Sequence, residues 1–181
     1  EIFRGCTRGC RFCQAGMITR PVRERSIETI GQMVANGLEK SGYEEVGLLS
    51  LSSADHTEIG DVAKQLGDRY EGTNTSLSLP STRVDAFNIT LANEFSRNGR
   101  RSGLTFAPEG GSERLRKVIN KAVTEDDLIR TVAAAYSHGW RQVKLYFMCG
   151  LPTETDEDVL QIAEVAKRVI ETGREVAGHN D

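Results

Sequence analysis

Long apolar runs, a secretion signal and an excess of basic charge are all missing from this sequence. None of its 181 residues falls in an apolar run that approaches the ~20 residues of a membrane span. No signal-peptide pattern opens the chain. The net charge is −3 and the isoelectric point about 5.7, so no electrostatic case for nucleic-acid binding arises. We expect a soluble cytoplasmic protein with no membrane partner and no indicated nucleic-acid partner.

Cysteine is scarce, and its distribution is uneven. Three of the four cysteines lie close together, at Cys6, Cys10 and Cys13. A secreted disulfide protein spreads an even set of cysteines along its chain. Clustered thiols without a secretion signal instead indicate a reducing compartment and a metal or cluster site.

The two ends of the sequence predict a fragment of a longer protein. The chain begins at Glu1 rather than at methionine, and a predicted last helix ends at Gly173 with no strand after it. The length suits one sizeable domain. We therefore expect residues 1–181 to be one catalytic core cut from a longer chain.

Short β-rich runs alternate with longer helical patterns. Strands are predicted at residues 2–3, 46–51, 76–79, 104–107 and 143–149. Helices are predicted at 26–42, 59–70, 87–95, 112–119, 124–138 and 155–173, several with capping residues at their starts. The third of them is predicted to end by Gly99. The inner face of the last is predicted to consist of Val159, Ile162, Ala163, Ala166 and Ile170. This alternation predicts an α/β fold, a partial (β/α) barrel of parallel strands, with about five β/α units in a C-terminally truncated chain.

The segment GCTRGCRFC, residues 5–13, carries the strongest chemical signal. Its C-x3-C-x2-C spacing offers three thiolates to an iron–sulfur cube that four cysteines would complete, so one iron stays open. A structural zinc site is the alternative, but it would need His56 or Cys149 as a fourth ligand. A second alternative is a non-catalytic iron–sulfur electron carrier, which would need a fourth cysteine ligand nearby.

The cysteine segment, with Phe12 just before its last cysteine, resembles the signature of the radical S-adenosylmethionine (SAM) superfamily. The resemblance is closest to members with an upstream cobalamin-binding domain, which are related to methylthiotransferases. It extends through CRFCQAGMITRPVRERS, FAPEGGSERLRKVINKAVTEDDL and MCGLPTETDEDV. It implies a [4Fe–4S] cluster on Cys6, Cys10 and Cys13, and reductive cleavage of SAM to a 5′-deoxyadenosyl radical that acts on an unidentified substrate. It also implies an electron donor such as flavodoxin or ferredoxin, and cobalamin on an upstream domain.

The same resemblance implies SAM contacts at the ends of three strands. After the second strand, Ser52, Ser53 and Asp55 stand where the family has a Gly-Gly-Glu-like turn, although Ser53 or Asp55 is equally suited to cap the next helix. After the fourth strand, Glu109 resembles a ribose ligand, and the alternative is a surface turn with Ser112 as helix cap.

Three further assignments complete the predicted site. Gly150 and Leu151 resemble the segment that packs on adenine, and Phe12 is placed with the cofactor contacts. Arg20, Arg23 and Arg25 form either an anion-binding loop or a solvated face. Cys149 is expected to be a buried small apolar side chain.

Overall fold

The computed structural model describes residues 1–80, 83–84, 88–97 and 103–178, and the chain divides into two compact units. The first unit comprises Glu1–Arg8, Gln14–Thr82 and Ala86–Arg101. The second comprises Gly9–Cys13, Arg83–Asp85 and Ser102–Asp181. The cysteine motif is therefore shared, with Cys6 in the first unit and Cys10 and Cys13 in the second.

Parallel strand pairing and an apolar core define the first unit. β3 and β4 pair in parallel, with Val46 opposite Leu77, while β1 and β2 form a short antiparallel pair that the sequence did not predict. Buried side chains of α2 and α3, among them Ile30, Val62 and Leu66, form its core. In chain order the elements are β1 (Phe3–Arg4), α1 (Gln14–Ile18), β2 (Arg23–Glu24), α2 (Ile27–Ser41), β3 (Glu45–Gly47), α3 (Ile59–Tyr70), β4 (Ser76–Ser78) and α4 (Ile89–Phe95).

The ends of α2 confirm the prediction from capping residues. The Ser26 hydroxyl accepts a hydrogen bond from the amide of Thr29, and Gly42 ends the helix in the left-handed region at φ +70°. For α4, the predicted start at Phe87 and the predicted limit at Gly99 lie outside the described residues. Its N-cap is Asn88, whose side chain accepts from the amide of Thr90.

The second unit is built on a parallel pair of strands. Its elements are β5 (Leu104–Glu109), α5 (Glu113–Val118), α6 (Glu125–Ser137), β6 (Val143–Phe147) and α7 (Asp156–Ala177). The strand register runs from Leu104 opposite Val143 to Phe106 opposite Leu145, then shifts before Glu109. Pro108 lies at that shift, where its missing amide proton costs the ladder nothing.

Capping boxes begin the two long helices of the second unit, as predicted. Thr124 pairs with Asp127 at α6, and Thr155 with Asp158 at α7. Asp158 is 4% exposed and also contacts the side chains of Ser112 and Arg114. The Arg114 guanidinium, then the Ser112 hydroxyl and the Thr155 amide, hold the pKa of this carboxyl far below its ordinary value.

The last helix corrects two expectations. It continues past Gly173 to Ala177, and Gly178 ends it at φ +69°. Gly173 lies inside the helix, and a Cβ there would lie 2.9 Å from the ring of Tyr136, so close packing against α6 favours glycine at this position. The predicted inner face of Val159, Ile162, Ala163, Ala166 and Ile170 is wrong by part of a turn. Asp158, Val165 and Val169 are buried instead, whereas Ile170 is 54% exposed.

Strand β6 also differs from its prediction. It ends at Phe147 rather than Cys149, and Tyr146 is 53% exposed because the face that carries Lys144 and Tyr146 is open to solvent. Cys149 is exposed, not buried, because it follows the strand. Within the described part of the chain, no helix has both the length and the apolar character needed to cross a membrane.

We predict that Asp158→Asn lowers the melting temperature at neutral pH. The substitution removes the carboxylate charge that binds Arg114, and that accepts hydrogen bonds from Ser112 and Thr155 at the starts of α5 and α7. The folded pKa lies below the unfolded value of about 3.9. The carboxylate therefore stabilises the fold fully above that pH, and its contribution is lost progressively as the pH falls from about 4 toward the much lower folded pKa. Thermal melts from pH 7 to pH 3 should show the wild type and the variant converging. Asp156→Asn, an exposed carboxylate in the same helical turn, is the control. A constant difference across the range would contradict the assignment.

Candidate functional site in the two units

All three clustered cysteines are half-buried thiols. None of the four cysteines, all of which lie in the described part of the chain, forms a disulfide. Among residues 1–80, 83–84, 88–97 and 103–178, no three His, Cys, Asp or Glu side chains are gathered into a group that could hold a metal ion. The donor chemistry nevertheless fits an iron–sulfur cluster, since thiols are its protein ligands. Each unit's part of the motif is described separately below.

In the first unit, tight backbone contacts shape the turn at Cys6. Gly5 has φ +95°, and a Cβ there would lie 2.9 Å from the Thr19 carbonyl oxygen and 3.0 Å from that of Pro21. Only glycine fits this position without moving the backbone. The amide of Arg8 lies 3.4 Å from the Cys6 Sγ and donates to it. Hydrogen bonds of this kind to a ligating sulfur tune a metal centre.

Arg8 also joins the cysteine turn to the segment after β3. Its Nε and Nη2 donate to the two carboxylate oxygens of Asp55 at 3.2 and 2.7 Å. The Ser52 hydroxyl donates to Asp55 Oδ2 at 2.7 Å. A two-pronged arginine–carboxylate pair fixes orientation as well as distance. The predicted site residues Ser52 and Asp55 are therefore held beside the turn that carries Cys6.

A cavity of about 480 Å³ opens at this place. Its volume lies within the range typical of small-molecule sites. Two carboxylates and one thiol contribute to its wall. The lining residues are Phe3, Cys6, Thr7, Val22, Glu24, Ser52, Asp55 and Thr57. Three residues that the sequence singled out, Cys6, Ser52 and Asp55, thus face one space.

Ser53 is placed differently from its two neighbours. It is fully buried, and its hydroxyl is bonded to the Leu48 carbonyl oxygen and to Ser50 Oγ, both at 2.9 Å. Its side chain supports the turn and does not line the cavity. The alternative that Ser53 or Asp55 caps the next helix is wrong, because α3 follows Glu58 and has no side-chain cap.

His56 is occupied by structural contacts. Its Nδ1 accepts from the amide of Glu58 at 3.1 Å, and its Nε2 lies 3.0 Å from the carbonyl oxygen of Arg25. Since Nδ1 accepts, Nε2 carries the proton and donates. The ring is 2% exposed and lies against Phe3. With both nitrogens engaged, His56 is unsuited to be the fourth ligand that the zinc alternative needs.

In the second unit, the end of α5 binds both residues that flank Cys10. The Asn120 Nδ2 donates to the carbonyl oxygen of Gly9 at 2.8 Å. The amide of Arg11 donates to the Ile119 carbonyl oxygen at 2.9 Å. The Arg11 guanidinium donates to the Val118 carbonyl oxygen. The amide of Cys13 then closes a turn onto the carbonyl oxygen of Cys10 at 3.1 Å.

Glu109 ends β5 in a left-handed conformation, at φ +70°, that few residues other than glycine adopt. Its Oε1 lies 3.3 Å from Lys121 Nζ, and both side chains are largely buried. Its carbonyl oxygen accepts from the amide of Met148 at 2.7 Å. Ser112 caps α5 through the amide of Leu115 at 3.0 Å, as the alternative expected, so the turn holds both a helix cap and a fixed carboxylate.

Arg116 holds the two residues after Glu109. Its Nη1 donates to the carbonyl oxygens of Gly110 and Gly111 at 2.9 and 3.0 Å. The side chain is 2% exposed, and Nε and Nη2 have no hydrogen-bond partner among the described residues. Burial lowers the pKa of this guanidinium. Its two hydrogen bonds to backbone carbonyl oxygens offset part of the cost of burying this charge.

The remaining predicted contacts lie on exposed turns. Gly150 has φ +81° and donates its amide to the Glu154 carboxylate, while Leu151 is half-buried. Glu154 therefore holds this turn. Phe12 is 41% exposed.

The arginine loop is mainly structural. Arg20 donates to the carbonyl oxygens of Gly16 and Arg8 at 3.2 and 2.8 Å, and Arg25 donates to that of Glu1 at 2.9 Å. Arg23, on β2, is exposed.

The sequence did not single out four residues whose contacts hold predicted site residues or the segments beside them: Arg8, Arg116, Asn120 and Lys121. One signal was available. Asn120 follows α5 directly, and asparagine commonly takes the left-handed conformation that ends a helix. The other three are basic residues in a sequence with 23 of them, and only their contacts distinguish them.

The chain matches one protein family and several longer relatives. The family model described as "Radical SAM superfamily" matches residues 1–166, and the chain belongs to that superfamily. An uncharacterized protein of Methanocaldococcus jannaschii is 37% identical over 97% of this chain and 38% of its own length. The tRNA-2-methylthio-N(6)-dimethylallyladenosine synthase of Petrotoga mobilis is 24% identical over 92% of this chain and 40% of its own length. The chain thus spans about two fifths of these relatives.

One solved structure supports the fold. The radical S-adenosylmethionine methyltransferase TsrM from Kitasatospora setae, solved with cobalamin and a [4Fe–4S] cluster bound, has a TM-score of 0.76 to this chain. The match covers 93% of this chain and 34% of that one, at 14% identity. It confirms the predicted fold class, an α/β partial (β/α) barrel with parallel strands.

We predict that Gly111→Ala disrupts the turn after Glu109. A Cβ there would clash with the Asp158 carbonyl oxygen and lie 2.8 Å from the Ile162 side chain, both on α7. Overpacking of this kind costs about 1–3 kcal/mol. Chemical denaturation should show that loss. Gly37→Ala, at an exposed helix position with no atom in reach, should instead stabilise by ~0.5–1 kcal/mol. Equal stability of the two variants would refute the close contact.

Proposed function

We propose that Cys6, Cys10 and Cys13 bind a [4Fe–4S] cluster and that the chain is the catalytic core of a radical SAM enzyme acting on an unidentified substrate. The observation that carries this proposal is the cavity of about 480 Å³ in the first unit, which Cys6 lines together with Ser52 and Asp55. A thiol ligand and polar groups for a small molecule thus face one space. The family membership of residues 1–166 supports the same chemistry.

The methionine end of SAM is assigned to this cavity. SAM carries a positive sulfonium and a positive ammonium group, and the cavity wall contains the carboxylates of Glu24 and Asp55. Because Arg8 and Ser52 fix the Asp55 carboxylate, its orientation is set before the ligand arrives. A preorganised carboxylate loses little entropy on binding. Ser53 contributes only by supporting the turn.

The nucleoside end of SAM is assigned to residues of the second unit. Glu109 would accept hydrogen bonds from the ribose hydroxyls, as acidic residues do in dinucleotide sites. Lys121 contacts Oε1 of this carboxylate, so its position is fixed from one side. Gly150 and Leu151 would pack on adenine, and Phe12 would contact the cofactor beside Cys13.

The protein's part in the reaction is to position the cofactors and exclude water. The chemistry that a bound cluster supplies is one electron to the SAM sulfonium, which breaks a C–S bond and yields methionine and a 5′-deoxyadenosyl radical. We place the protein in the cytoplasm, where thiols remain reduced. A flavodoxin or ferredoxin would supply the electron.

Methyl or methylthio transfer is the reaction class that the relatives favour. A synthase named for a methylthio product is 24% identical, and a methyltransferase with cobalamin bound shares the fold. Cobalamin would be held by an upstream domain of the longer protein. Cobalamin content of the purified full-length protein would test this part separately.

We predict that the full-length protein, reconstituted anaerobically with iron and sulfide, holds about four irons per chain and converts SAM to 5′-deoxyadenosine when reduced with dithionite. Cys6→Ala, Cys10→Ala and Cys13→Ala should each abolish both results, since each removes one thiolate ligand. Cys149→Ala is the matched control and should leave both unchanged, because Cys149 is an exposed thiol outside the motif. Iron analysis, absorption spectra and chromatography of the product provide the measurements.

Three outcomes would contradict the proposal. Zinc without iron after anaerobic purification would favour a structural metal site. A four-iron cluster whose electron paramagnetic resonance (EPR) signal does not change when SAM is added would favour an electron carrier. Loss of the cluster in Cys149→Ala would show that the wrong thiols were assigned.

We predict that Asp55→Ala weakens SAM binding about tenfold while the cluster is retained, because it removes a charge-assisted contact worth ~1.5 kcal/mol. SAM titration of the reduced cluster, followed by EPR, provides the affinity. Asp61→Asn, in the first turn of α3, is the control for loss of a carboxylate. Unchanged affinity in Asp55→Ala with a filled cluster would remove Asp55 from the site.

A further inference from the structure

We propose that Asn120 and Lys121 are positioning residues that hold the segment around Cys10 in register with Glu109. This inference rests on the proposed function, since it assumes a cluster on Cys10 and SAM at Glu109. The two residues are adjacent in the chain, directly after α5. One contacts the segment before Cys10, and the other contacts Glu109.

Asn120 has the conformation and the contact that this role requires. Its φ is +54°, in the left-handed region that asparagine tolerates better than most residues. In that conformation its side-chain amide donates to the Gly9 carbonyl oxygen at 2.8 Å. A Cβ on Gly9 would lie 3.0 Å from Asn120 Nδ2, so the Asn120 side chain packs directly against the Gly9 backbone. With the bond from Arg11 to Ile119, both peptide groups next to Cys10 are fixed to the end of α5.

Lys121 extends the same connection to Glu109. Its ammonium lies 3.3 Å from Glu109 Oε1, and the two side chains are 10% and 16% exposed. Its backbone is fixed as well, because its amide donates to the Arg116 carbonyl oxygen at 2.8 Å and its own carbonyl oxygen accepts from Val123 at 2.8 Å. A largely buried ion pair between fixed backbones keeps one geometry, whereas an exposed pair would not.

Arg116 completes the connection one turn earlier on α5. Its guanidinium bonds the carbonyl oxygens of Gly110 and Gly111, directly after Glu109. Within the segment Arg116–Lys121, the two end residues therefore contact Glu109 or the residues after it, and residues between them contact the neighbours of Cys10. A substitution at Asn120 should therefore change the cluster directly, and change SAM binding through the neighbouring Lys121 and Glu109.

The test compares three variants of the reconstituted full-length protein. Asn120→Asp keeps the size and the left-handed conformation, but it places a carboxylate oxygen against the Gly9 carbonyl oxygen. Asn120→Gly keeps the backbone conformation and removes only the hydrogen bond. Asn36→Asp, at an exposed position of α2, is the control for the added charge.

The expected result is a changed cluster in the absence of SAM. Asn120→Asp should lower the reduction potential and alter the EPR signal of the reduced cluster, since nearby charge and hydrogen bonding set both. Asn120→Gly should alter the signal less. Both should weaken SAM binding about threefold to tenfold, the range for one lost hydrogen bond. The melting temperature of each variant checks that the fold is retained.

Variants of Lys121 test the second half of the proposal, the contact with Glu109, independently of Asn120. Lys121→Met should leave the SAM-free cluster signal as in the wild type and weaken SAM binding about tenfold, because it leaves a largely buried carboxylate unpaired. Lys121→Arg keeps the charge and should recover most of the affinity.

The outcomes separate this inference from the proposed function. If the wild type holds a four-iron cluster that responds to SAM, and both Asn120 variants match Asn36→Asp in potential and spectrum, the inference is wrong while the proposed function stands. If the wild type binds no such cluster, the proposed function itself fails. A Lys121→Met protein with wild-type SAM affinity would overturn the role of Lys121.

Discussion

The hydrogen bonds between the end of α5 and the segment around Cys10 are the contacts on which the second unit's part of the proposed site depends. The one large apolar side chain of this segment, Phe12, is 41% exposed and does not anchor it, so its backbone must be held by polar partners. Ile119 and Asn120 provide them, and the next residue, Lys121, holds Glu109. The geometry around the thiols is thereby set by the helix that follows β5.

The first unit uses the same kind of solution with different residues. Arg8 donates its amide to Cys6 and its guanidinium to Asp55, so a single residue joins the cysteine turn to the segment after β3. Gly5 permits the turn, because any side chain there would meet the carbonyl oxygens of Thr19 and Pro21. In each unit a basic residue fixes a carboxylate of the proposed site. Arg8 fixes Asp55 in the first unit, and Lys121 fixes Glu109 in the second.

Local signals predicted much of the fold, and contacts between distant residues explain what they missed. Ser26, Thr124 and Thr155 marked helix starts because a cap is made within four residues. The buried face of α7 was misassigned because apolar periodicity cannot show that Asp158 turns inward to Ser112 and Arg114, more than 40 residues away. Likewise, Cys6, Ser52 and Asp55 were predictable by residue type, whereas Arg8 and Lys121 were identifiable only once their partners were placed.

The central claim is that three thiolates leave one iron of a cluster open to SAM. The most direct measurement is hyperfine spectroscopy of the reduced cluster with SAM labelled with ¹⁵N in its amino group. The account predicts a nitrogen coupling to the cluster that disappears when SAM is omitted. A fully assembled four-iron cluster with SAM present in excess and no such coupling would contradict it.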